Sequence, residues 1–208
     1  MKLNQIFHPE NEFFKTISRM VDLVGLSLLW MVCSIPLVTI GASTAALYVA
    51  TLRCVRQEEG YTYAHFFQSL KKNFKQGILV TLCFLPVVCL FYYGLPVLQS
   101  MGSQGDRVAG VLFYTWQILI FFVLTYAGIL CALLGRFTFP IGKLFQTALM
   151  LLLCHLPLAV LYGILLYLAV VLCFNFLWPI FFLPTLAVLW GSFPFEKMVG
   201  YHVHNHEE

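Results

Sequence analysis

Few side chains in this chain could do chemistry, and those few lie in apolar surroundings. His155 stands in the run Cys-His-Leu-Pro, inside a block (144–195) that holds no Asp, Glu, Lys or Arg. An ionisable group within a membrane span is by default a pointer to function. The plainer reading, a histidine hydrogen-bonded between helices, is favoured here. Gln146 could hydrogen-bond between helices, and Gln117 and Asn175 are further polar groups deep in apolar sequence. With His155 they are candidate cavity groups for a neutral solute, or interhelical hydrogen bonds of about 1 kcal/mol or less each. The tail Tyr-His-Val-His-Asn-His-Glu-Glu alternates His202, His204 and His206. On an extended strand these would point one way and could capture a metal, a weak signal for which no metal site is assigned. No cofactor site is assigned either.

Catalysis has no visible apparatus. A membrane hydrolase needs a nucleophile with its base, or a metal with its ligands. The chain carries no His-Glu-x-x-His, no Gly-x-Ser-x-Gly and no paired carboxylates inside an apolar block. Phosphate-binding glycine signatures are absent as well. No charged relay crosses an apolar block, which weighs against ion-coupled transport. The expectation is a protein that is not an enzyme, with a small permease for a neutral solute as the alternative. A lipid-modifying enzyme ranks last.

The positioning elements are easier to read. Of 208 residues 61% are apolar and 10% are charged, with a mean hydropathy of +0.86. A soluble domain carries about a quarter charged residues. Four blocks, 23–52, 77–105, 108–135 and 144–195, lack Asp, Glu, Lys and Arg. A spanning helix needs roughly 20 apolar residues. The continuous apolarity excludes a barrel, whose strands alternate. The fold class expected is all-α: one membrane domain over 1–208, a transmembrane helical bundle of five to six spans. Glu10, Glu12, Lys15 and Arg19 precede the first apolar run, so a cleaved signal peptide is not expected. The seven cysteines contain no Cys-x-x-Cys and read as small buried apolar residues rather than a disulfide framework.

The periodicity predicts an amphipathic helix at 9–21, at the membrane interface or packed on the bundle. Residues 22–57 pose a length problem. One straight helix over 22–52 would run about 46 Å, more than tilt alone can fit into a bilayer. Pro36 removes a backbone donor, which favours a helical or re-entrant hairpin broken near Pro36–Gly41. The packing turn is then Pro36, Thr39 and Gly41, and the small residues from Gly41 to Ala46 offer a face for close helix approach. Counting Lys and Arg supports the hairpin. A single crossing leaves eight cations inside and four outside, whereas a hairpin leaves eleven inside and Arg107 alone outside. Both termini are expected to be cytoplasmic.

A second amphipathic helix is predicted at 62–76, on the cytoplasmic side. Phe66, Phe67, Lys71, Lys72 and Phe74 form its candidate surface for membrane lipids or a protein partner. Spans are predicted at 77–98, 108–134, 146–170 and 176–193, followed by a tail at 194–208. The net charge of +3 is unevenly spread. It bears on orientation rather than on nucleic acid, which is not expected as a partner.

The stretches LLWMVCSIPLVTIGASTAALYVATLRCVRQEEGY (28–61) and FFQSLKKNFKQG (66–77) together resemble the YesL family of bacterial membrane proteins. A span ending in a Pro-x-x-Thr-x-Gly turn leads into a small-residue helix and then a Phe- and Lys-rich helix. Pro36, Thr39, Gly41, Thr44, Ala45, Tyr48, Arg53, Phe66, Phe67, Lys71, Asn73 and Phe74 carry the match. The resemblance is strong over about 10–80 and rests on hydropathy and length beyond that. It implies a bacterial plasma-membrane protein, often found with carbohydrate-uptake systems, and hence possible ABC transporter permease subunits as partners. It supplies no activity and no catalytic residue.

Overall fold

A computed structural model describes residues 12–56, 61–103, 107–137, 139–176 and 178–204. The described residues form a polytopic helical bundle of seven α-helices and no strand. They are α1 (Glu12–Ser34), α2 (Ile40–Arg56), α3 (Thr62–Ser103), α4 (Arg107–Arg136), α5 (Ile141–Cys154), α6 (Leu156–Asn175) and α7 (Leu183–His204). Short 3-10 turns at Leu37–Thr39 and Trp178–Phe181 join two of the pairs. Among the described residues five segments are long and apolar enough to cross a membrane: Ile17–Ser34, Leu37–Val55, Thr62–Met101, Arg107–Arg136 and Leu156–Cys173.

α1 and α2, α2 and α3, and α3 and α4 run antiparallel. α1 and α2 make the expected hairpin, with Ser34 beside Ser43 and Trp30 beside Thr44. α2 returns along the start of α3, with Ala50 near Phe66 and Ala42 near Gly77. Phe91 on α3 packs on Trp116 of α4, and Phe84 on Tyr126. Tyr167 of α6 meets Phe121 of α4, and Tyr162 lies against Gly128 of α4 and Gly191 of α7. The main core gathers Ala45 and Tyr48 of α2, Val80 of α3, Ile129, Leu130, Ala132, Leu133 and Leu134 of α4, Leu144, Ala148, Leu151 and Leu152 of α5, and Phe195 and Met198 of α7. α2 is the innermost of the candidate spans: just over half of it is buried, against smaller shares of the other four.

Several expected boundaries move. The amphipathic segments at 9–21 and 62–76 are not separate interfacial helices. Residues 12–21 are the first turns of α1, and 62–76 the first turns of α3; residues 9–11 lie outside the described residues. Nothing at 21–22 or 76–78 breaks a helix except Gly77, whose cost of about 1 kcal/mol relative to Ala is too small to do so. α3 therefore runs unbroken for 42 residues, through Pro86 and Pro96, for about 63 Å.

The span expected at 146–170 is two helices, broken at His155. Pro157 cannot donate to the preceding turn, and it sits in the first turn of α6, where no donor is needed. The span expected at 176–193 begins with a 3-10 turn and continues as α7 through Pro194 to His204. Phe195, Met198 and Val199 are buried, which holds the helix against the core beyond the expected end. The cysteines are unpaired, but not uniformly inside: Cys54 and Cys131 are buried, while Cys83, Cys89 and Cys154 are exposed.

Candidate functional site

The packing turn is built from hydroxyl groups. Pro36 stands just before the 3-10 turn with extended backbone angles, φ −74 and ψ 106. The Thr39 hydroxyl lies 2.5 Å from the Cys33 carbonyl oxygen, which the end of α1 leaves without a helical partner, and 2.7 Å from that of Pro36. Its backbone N–H donates to Pro36 O at 2.8 Å. On the returning helix α2, the hydroxyls of Ser43 and Thr44 bond back to carbonyls at 39 and 40. The Gly41 N–H, one of the first donors of α2, goes to Thr81 Oγ1 of α3 at 2.9 Å, and Thr81 in turn donates to Gly77 O.

Gly41 and Gly77 explain how α2 and α3 come so close. A Cβ at Gly41 would stand 2.7 Å from the Gly77 carbonyl oxygen, and one at Gly77 would stand 2.5 Å from Ala42 Cα. Both contacts are with backbone, which cannot swing away. Pro36, Thr39 and Gly41 are thus brought together in one turn that is docked on α3.

The first turns of α3 have two unlike sides. Phe66, Ser69, Asn73 and Gly77 face α2 and are buried. Phe66 is fully enclosed by Leu26, Ala46, Leu47 and Ala50. The sequence groups it with the outward surface, and the structure removes it from that surface. The reason is close helix packing: Ala46 and Ala50 leave a hollow that only a large side chain fills. The outward side holds Phe67 and Phe74, which are exposed, with Lys71, Lys72 and Lys75 beside them. Phe67 keeps an edge contact with Phe66 at 5.7 Å between centroids.

The three candidate cavity groups do not meet. Gln117 Oε1 accepts from the Tyr167 hydroxyl at 3.3 Å on an exposed stretch of the α4–α6 seam. Asn175 donates to Val171 O, within its own helix. His155 forms the joint between α5 and α6 and is half-buried. From His155 to Asn175 is about 30 Å along the helix. A hollow among the described residues lies elsewhere. It is a shallow groove of about 590 Å³ between α6 and α7, lined by Leu158, Leu161, Phe193, Pro194, Glu196 and Lys197. Glu196 there is 3.7 Å from Arg136 at the end of α4. Among the described residues no group of three or more His, Cys, Asp or Glu could hold a metal. His202 and His204 fall in helical backbone rather than in a strand, and His206 lies outside the described residues.

Sequence reasoning missed the hydroxyl ties that hold α1 to the bundle. Ser27 and Thr185 are buried with their hydroxyls 2.6 Å apart, and Thr185 also reaches the Leu23 carbonyl. The two residues are 158 positions apart, and neither lies in a motif that would pair them.

No curated protein and no solved structure matches the chain. The α1–α2 hairpin and most of α3, residues 23–95, match the family model described as Protein of unknown function, DUF624.

Proposed function

We propose that this is a bacterial plasma-membrane protein of the YesL kind, with both termini cytoplasmic, that works without chemistry of its own as an accessory or partner of a carbohydrate ABC uptake system. The observation that carries this reading is the division of α3 between two tasks. Its inner side is occupied by α2, and its outer side presents Phe67, Phe74, Lys71 and Lys72 to the surroundings. Exposed aromatic anchors flanked by cations suit a protein interface. The resemblance to YesL proteins supplies the class of partner, permease subunits of an uptake transporter. The permease alternative finds less support, because His155, Gln117 and Asn175 are spread along the bundle rather than gathered.

Affinity purification from native membranes in mild detergent, followed by mass spectrometry, tests the proposal. The expected result is recovery of an ABC permease or its ATPase, lost on Lys71→Glu/Lys72→Glu and kept on Lys143→Glu. Recovery of the protein alone, or only with itself, would overturn it and turn attention to solute flux in proteoliposomes.

A further inference from the structure

The α1–α2 hairpin has the apolarity of two spans, yet its register against α3 conflicts with a crossing. Ala50 packs near Phe66 and Ala42 beside Gly77. The α3 residues between these contacts include Lys71, Lys72 and Lys75, all exposed. Lys71 and Lys72 therefore stand level with the middle of the Leu37–Val55 segment. If α2 crossed the bilayer, those ammonium groups would face hydrocarbon near its midplane, the most costly place for them. From Gly77 to Met101 α3 still has about 36 Å of apolar helix, enough to cross by itself.

The apolarity of α2 has another source: it is the innermost helix and is covered by protein. The hairpin tip, by contrast, is bare. Val32, Ile35, Pro36, Leu37 and Val38 are exposed, with Ile35 at 75% and Leu37 at 64%. Water would be a poor surrounding for such a turn. Hydrocarbon accepts it only if backbone polar groups are satisfied within the protein. The Thr39, Ser43, Thr44 and Thr81 hydroxyls provide for carbonyls and an N–H around this turn. Met20, Val21, Leu28 and Val32 continue the exposed apolar surface along one side of α1 into the tip.

We propose that the hairpin does not cross the membrane: it is a re-entrant wedge whose Ile35–Val38 tip sits among the acyl chains of one leaflet, while Lys71, Lys72 and Lys75 lie at the headgroups of that leaflet. The occupant of the bare tip is lipid. The cations beside the entry point suit anionic headgroups, and α3 carries the same surface onward as a true span. The proposal does not depend on the identity of any protein partner.

Depth measurement in nanodiscs of phosphatidylcholine and phosphatidylglycerol tests it. Single cysteines at Leu37, Lys71 and Met101, in a background freed of native cysteines, carry a fluorophore that lipid-borne nitroxides quench. The expected result places position 37 within the acyl region and positions 71 and 101 at opposite headgroup layers. Position 71 near the bilayer centre with 37 at a headgroup layer would overturn the proposal in favour of a crossing hairpin. Position 37 in water would overturn it in favour of a peripheral hairpin. The unaltered protein gives an independent reading. In nanodiscs, a water-soluble acylating reagent should modify Lys71, Lys72 and Lys75 at rates within severalfold of Lys143. Protection of Lys71 and Lys72 by tenfold or more, relieved in detergent, would also overturn the proposal.

Discussion

At Gly77 the spacing of two helices is set by the absence of one carbon. Replacing it with Val forces α2 and α3 apart, and overpacking of this kind costs about 1–3 kcal/mol. Thermal unfolding of the purified protein in detergent should show Gly77→Val well below the parent, and an unchanged midpoint would refute the close packing. Phe66 and Phe67 make a sharper pair. Phe66→Ala empties a filled hollow and should cost about 3–5 kcal/mol by the scale of soluble cores. Phe67→Ala should stay within about 0.5 kcal/mol, as exposed substitutions do. Equal losses at both would mean that the inner and outer sides of α3 are misassigned. The turn residues were legible because Pro and Gly have fixed conformational meanings. The split between two adjacent phenylalanines was not, because it depends on Ala46 and Ala50 of another helix.

Among the elements, hydropathy and period located nearly every helix, and misjudged where some begin and end. Proline was the main cause. Pro157 accompanies a break at His155, whereas Pro86, Pro96 and Pro194 lie inside helices. A single residue type does not separate a helix end from a helix that tolerates one lost hydrogen bond. That distinction rests on packing, as at α7, where Phe195 and Met198 anchor the turns beyond Pro194. The tie between α1 and α7 is open to a direct test. A double-mutant cycle on Ser27→Ala and Thr185→Ala should return a coupling near the average of about 0.6 kcal/mol for hydrogen bonds between membrane helices. Coupling indistinguishable from zero would mean that the two hydroxyls do not hold the helices together.

For the whole molecule, composition alone settled the helical membrane class. Apolar sequence does not say whether its surroundings are lipid or protein, and α2 shows the difference: its side chains are apolar because α1, α3, α4 and α7 cover them. The same ambiguity scattered the polar cavity candidates, since Gln117, His155 and Asn175 looked alike in hydropathy but belong to different levels of the bundle. Orientation follows from charge. Asn4→Cys and Glu58→Cys are expected to react with an impermeant maleimide from the cytoplasmic side and not from outside, in intact cells against inverted vesicles. Reaction from opposite sides would overturn the shared cytoplasmic placement and the count of cations behind it.

The unbroken course of α3 has a mechanical corollary. α2 grips the helix from Phe66 to Thr81, a stretch of about 23 Å that includes Lys71, and Gly94, beside Trp116, lies about 20 Å beyond it. A rod clamped along one end behaves as a cantilever. A tilt of the clamped stretch carries the Gly94 end with it, less whatever bending Pro86 absorbs. Whatever loads the clamped stretch is therefore felt at the seam between Phe91 and Trp116.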